Sequence, residues 1–208
     1  NLPKTKRLPL INQQKRLLSS VEAFARTLKE HSRSKHKALE ATDSDEDADA
    51  EHTLGLDEEA LDERDDQRVA SASAELQRLM PAGAAPLIER LRVQAEALRR
   101  EPDAKVRALL AWMREHLCPA IAEPDSESTA WSDRRVLIFT EYSDTRRYLL
   151  GLLQEAVRHT DRGDDRIVQL HGGMTEQARE EVQYAFNAEP EDDPARIEEF
   201  NEAKVLLA

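Results

Sequence analysis

The sequence predicts an α/β fold built on a parallel sheet and preceded by a mainly helical region. Three observations carry that prediction. A continuous apolar run, Val136 to Phe139, is followed by the polar stretch T-E-Y-S-D-T and then by a helical pattern with Leu149, Leu152, Leu153 and Val157. A second run, Ile167 to Leu170, passes through His171-Gly172-Gly173-Met174 into another helical pattern that reaches Phe186. A third run, Lys204 to Ala208, suits a last strand. Strand, tight loop and helix in repetition is the signature of parallel strands joined by crossover helices. Unbroken apolar strands belong to sheets covered on both faces. The spacing places strands over 136–139, 167–170 and 204–207.

The segments before the sheet read as helices. Residues 1–10 hold two prolines and suit an extended connector. From Ile11 to about His31 the apolar positions Leu17, Val21, Phe24 and Leu28 recur at helical spacing, with Lys15, Arg16, Arg26 and Lys29 off that stripe as an expected solvated basic face. A short helix is expected over 69–80, ended by Pro81 and Gly83. Another is expected over 86–100, with Pro86 in its first turn and Leu87, Leu91, Ala95 and Leu98 on one face. Asp103 is placed to cap a helix carrying Val106, Leu109, Leu110, Met113 and Leu117.

Charge divides the chain sharply. The formal net charge of −12 is concentrated: residues 40–66 hold fourteen acidic side chains against Arg64 alone, a net of −13. Residues 1–37 carry ten Lys/Arg against two Glu, a net of +8. Dense like charge with few buriable side chains predicts a disordered linker over 38–68. EF-hand spacing is absent there, so no metal role is assigned to it. The expected organisation is therefore a basic helical segment (1–37), this linker (38–68), a helical connector (69–132) and a sheet domain (133–208). The single cysteine, Cys118, excludes an internal disulfide and reads as buried filler. With no apolar run of membrane-span length and no signal peptide, we expect no membrane partner and a cytoplasmic setting.

The candidate functional residues sit where the two strand–loop–helix blocks turn. Ligands of open α/β sheets bind outside the carboxyl ends of the strands, which selects Thr140, Glu141 and Tyr142 after the first strand. Ser143 or Asp144 can cap the helix that follows. After the second strand, Gly172 and Gly173 allow close backbone approach, and Thr175 can cap a helix whose free amides favour an anion. His171 can face a phosphate or bond to loop backbone. Arg179 can face a phosphate or pair with neighbouring glutamates.

Several phrases resemble one family. Val136 to Thr145, V-L-I-F-T-E-Y-S-D-T, resembles motif IV of superfamily 2 helicases, and the order H-G-G-M-T…A-R…A-F-N from His171 to Asn187 resembles motif IVa of the Swi/Snf-type DNA translocases. K-R-L-L-S-S-V-E-A-F-A-R-T-L, Lys15 to Leu28, is similar to the stretch closing the first lobe in bacterial members. D-A-K-V-R-A-L-L-A-W-M, Asp103 to Met113, is similar to the helix that enters the second lobe. Lys204 to Ala208 looks like the strand leading into motif V; the stretch 187–201 departs from the shortest members by its length.

The resemblance implies that 133–208 is the N-terminal part of a second RecA-like lobe. It also implies that Thr140, Glu141, Tyr142, His171, Gly172, Gly173, Thr175 and Arg179 contact double-stranded DNA. The implied activity is ATP-dependent translocation on duplex DNA, with ATP and Mg²⁺ as cofactors. Yet the sequence contains no G-x-x-x-x-G-K-[ST] loop and no D-E-x-H motif, so the nucleotide is expected to be bound mainly outside these residues, which alone should be inactive. Asn1 in place of an initiator Met, and an end within a strand, lead us to expect a piece of a longer protein. Within the family, the helicase of the DISARM antiphage system fits best, with other proteins of that system as possible partners, and RNA-polymerase-recycling ATPases of the RapA type second. A non-catalytic interaction module is the alternative from a different class.

Overall fold

A computed structural model describes residues 11, 14–37, 67, 69–71, 83–187 and 203–208. The helix expected over 69–80 falls largely outside the described residues, as do the acidic segment and the loop after Asn187. The chain forms two compact units, one of Asn1–Glu101 with Glu141–Thr145, the other of Pro102–Thr140 with Arg146–Ala208.

In the first unit the basic segment is helical over 14–19, breaks at Ser20, and resumes as α1 (Val21–Lys37). The break is local chemistry. Ser20 N–H donates to the Arg16 carbonyl (3.2 Å), closing one turn, while the Ser20 hydroxyl accepts from Ala23 N–H (3.1 Å) and opens the next. A serine that satisfies a helix's orphan amides is a strong start signal. One continuous helix was the expectation, and Ser20 divides it. Helix α2 (Ala85–Leu98) has a proline in its first turn, as expected. It packs on α1 through Ala25, Leu28 and Ala95, flanked by Phe24 and Ile88. Arg99 then ties the two helices by pairing with Glu22 on α1 and Glu96 on α2. Two expected core stripes are corrected here. Leu17, before α1, is exposed, and of Leu87, Leu91, Ala95 and Leu98 only Ala95 is buried, the one of the four in the cluster formed with Ala25 and Leu28.

The second unit holds the sheet. Helix α3 (Ala104–His116) starts at Asp103, whose side chain accepts from Val106 N–H (2.9 Å). Strand β1 (Val136–Ile138) leads to α4 (Ser143–Val157), whose first three residues belong to the first unit. A short 3-10 turn (Gly163–Asp165) precedes β2 (Ile167–Gln169), α5 (Glu176–Asn187) and β3 (Val205–Leu207). The strands are parallel in the order β1-β3-β2, with Val205 opposite both Val136 and Ile167. The three strands fall where the apolar runs placed them.

Side chains alternate across a strand, so Val136, Ile138, Ile167 and Val205 share one face of the sheet. That face meets Met113, Leu117, Cys118, Ile121, Leu153 and Val157, the main core. Cys118 is fully buried, as expected, and burial pushes its thiol up. On the opposite face Leu206 is buried, but Leu137 is 45 % and Phe139 78 % exposed. The expectation that the first strand is covered on both faces is therefore corrected for β1, which lies at the sheet's edge with β3 as its one neighbour among the described strands.

Candidate nucleic-acid interface

The carboxyl ends of the strands stay in register beyond the strands themselves. Thr140 N–H and its hydroxyl both donate to the Ala208 carbonyl (2.6 and 3.1 Å), and Ala208 N–H donates back to Ile138. On the other side of β3, Leu170 N–H donates to the Leu207 carbonyl (2.9 Å). Thr140 and the turn beginning at His171 thus flank the end of the central strand.

That turn runs from His171 to Thr175. Met174 N–H donates to the His171 carbonyl (3.3 Å), closing it. Thr175 caps α5, its hydroxyl accepting from Ala178 N–H (3.2 Å), as the sequence predicts. Gly172 and Thr175 are exposed, so the start of a twelve-residue helix is open to solvent. Helix starts of this kind present backbone amides and the positive end of a dipole to an anion. Of the two roles weighed for Arg179, the pair with a neighbouring glutamate is not formed: its guanidinium donates back to the Met174 carbonyl (3.4 Å), and among the described residues it makes no ion pair. Beside the turn, the buried Arg146 reaches Gln169 Oε1 at the end of β2 (2.5 Å).

Glu141 and Tyr142 have a different setting. They open a five-residue segment that packs with the basic N-terminal helices in the first unit. Lys15 pairs with Glu141 (3.1 Å) at the surface, and that hydrogen bond holds the Lys15 ammonium above its ordinary range. The Arg16 guanidinium lies over the Tyr142 ring, 4.8 Å from its centroid, a favourable cation–π geometry. Both residues proposed from sequence to meet DNA are engaged within the chain.

At the centre is Asp144, 5 % exposed. Arg16 donates to its Oδ2 (2.5 Å) and Arg26 to its Oδ1. Burial pushes the Asp144 carboxyl up, while the Arg26 and Arg16 guanidiniums pull it down. Arg16 also donates through Nε to the Thr27 hydroxyl (2.7 Å), which donates in turn to the Ala23 carbonyl. Thr145 completes the cluster by sharing hydrogen bonds with Ser19 (2.8 Å) and Ser20 (2.9 Å). Arg16 is therefore buried, not part of a solvated basic face. Asp144, expected as a possible helix cap, is the anion that two arginines share. Sequence reading missed Arg16, Arg26, Asp144 and the hydroxyls of Ser19, Ser20, Thr27 and Thr145 as one site. The available signal was two phrases of opposite polarity, K-R-x-x-S-S and E-Y-S-D-T.

Among the described residues, no three His, Cys, Asp or Glu side chains gather as metal ligands. The sequence holds no phosphate-cradling G-x-x-x-x-G-K-[ST] loop. Among the same residues, no helix is long and apolar enough to cross a membrane. Comparison with protein-family models, curated proteins and solved structures found no match to this chain.

Proposed function

We propose that this chain contributes to an ATP-dependent translocase on double-stranded DNA of the Swi/Snf type, with the sheet as the start of its second RecA-like lobe. The observation that carries this reading is the turn His171–Thr175: two glycines and a capped, exposed helix start at the carboxyl edge of a parallel sheet. A DNA phosphate suits that place, and phosphate contacts give affinity without sequence preference. Thr140 flanks the same edge, while Arg179 shapes the turn from within. Glu141 and Tyr142 act on DNA only where Lys15 and Arg16 leave them. ATP and Mg²⁺ belong to other parts of such a motor. By the same resemblance the setting is cytoplasmic, with a role in DISARM antiphage defence ahead of a RapA-type role.

ATP turnover tests this reading. These 208 residues alone should hydrolyse no ATP, with or without duplex DNA, whereas the protein bearing both lobes should be stimulated by duplex. DNA-stimulated turnover by the 208 residues alone would contradict the division of labour. Absence of stimulation in the two-lobed protein would contradict the translocase. A second reading, a non-catalytic docking module, draws on the exposed Leu137 and Phe139. It is favoured by partner binding without turnover.

A further inference from the structure

We propose that Glu141–Thr145 is a switchable segment and that Asp144 is its ionic latch, holding Glu141 and Tyr142 against Lys15 and Arg16 when closed and releasing them when open. This goes beyond the proposed function and does not depend on it.

The segment's connections to residues 15–26 are polar, and they come in two layers. The outer layer is exposed: side chains of Lys15 and Glu141 are 53 % and 60 % accessible. Pairs of this kind are screened by salt. The inner layer is dry, with Arg16 and Asp144 at 7 % and 5 % and the Ser19–Ser20–Thr145 hydroxyls beside them. Buried ion pairs resist screening, and removal of one partner leaves uncompensated charge. The chain's path gives the latch its reach. These five residues belong to the first unit, while the residues on both sides of them, through Thr140 and from Arg146, belong to the second. Among the described residues, the bonds given for Glu141, Tyr142, Asp144 and Thr145 within the first unit come from Lys15, Arg16, Ser19, Ser20 and Arg26. Its opening is an order–disorder change of a segment, a recurrent form of molecular switch, and it frees an acid and an aromatic ring now engaged by a lysine and an arginine.

Hydrogen–deuterium exchange of the 208-residue chain, without nucleic acid, reads the latch directly, because local opening exchanges amides that global unfolding alone would expose. Wild type is compared with Asp144→Asn and Thr145→Val at low salt. We expect Asp144→Asn to speed exchange over 141–145 by about tenfold or more, with peptides of β3 and α3 unchanged. Thr145→Val should act in the same direction with smaller amplitude. Exchange over 141–145 that does not change in Asp144→Asn overturns the latch. So does acceleration spread equally over β3 and α3, which would make Asp144 a residue of global stability. Should Asp144→Asn fail to fold, Thr145→Val decides: a rise confined to 141–145 supports the latch, and no rise or a uniform rise overturns it. Since DNA is absent, either result leaves the translocase reading to be judged separately.

Discussion

The segment after β1 and the turn after β2 follow strands of one parallel sheet, yet different forces hold them. Glu141–Thr145 is fixed by side chains more than a hundred positions earlier in the chain: two guanidiniums, a lysine and two serine hydroxyls. His171–Thr175 is fixed by its own neighbours, through a closed turn, a threonine cap and an arginine folded back on a carbonyl. The first has a dry centre at Asp144 and Thr145 and spends its polar groups on internal partners. The second is part-exposed, with Gly172 and Thr175 open to solvent at the start of α5. Position at the carboxyl edge of a sheet is thus insufficient to mark a ligand-facing loop; what has already been spent on internal bonds decides what remains for a ligand.

Substitutions that separate the two regions should follow this difference. The largest effect is expected from Asp144→Asn, which leaves two guanidiniums facing a neutral amide in a buried site. Removing one partner of a buried pair costs about 3 kcal/mol or more, measured as a fall in the free energy of local opening over 141–145 by hydrogen exchange, with β3 and α3 unchanged. A change below about 1 kcal/mol would mean that water already reaches the cluster. Thr175→Ala should cost about 1 kcal/mol through loss of the α5 cap, and it should leave exchange over 141–145 untouched. Equal losses of protection in both regions after that substitution would break the comparison. The smallest effect belongs to Lys15→Gln, which removes only the exposed pair with Glu141. Its unfolding midpoint should match wild type, and a clear shift would show that the outer pair is coupled to Asp144.

Local features were legible in sequence where the cause was local. Asp103 and Thr175 were identified as caps from residue type and position alone, and both accept the amide three residues on. The three strands followed from apolar runs bounded by polar loops. What sequence could not give depended on distant partners. Arg16 looked like a surface charge because its counter-ion lies 128 residues away. Leu87, Leu91 and Leu98 share a stripe with Ala95, yet only Ala95 reaches the α1 seam. Phe139 continues an apolar run but lies beyond the last paired residue of β1, on the edge of the sheet. Of the candidate site, the β2–α5 turn was therefore readable in advance, and the ion-pair cluster was not.

The most direct test of the translocase reading is equilibrium binding of the protein to two duplexes of unrelated sequence across a range of salt. Counter-ion release from phosphate contacts predicts equal affinity for both, falling linearly in log–log form as salt rises. Binding that is salt-insensitive, or that strongly prefers one sequence, would contradict a motor that grips the DNA backbone.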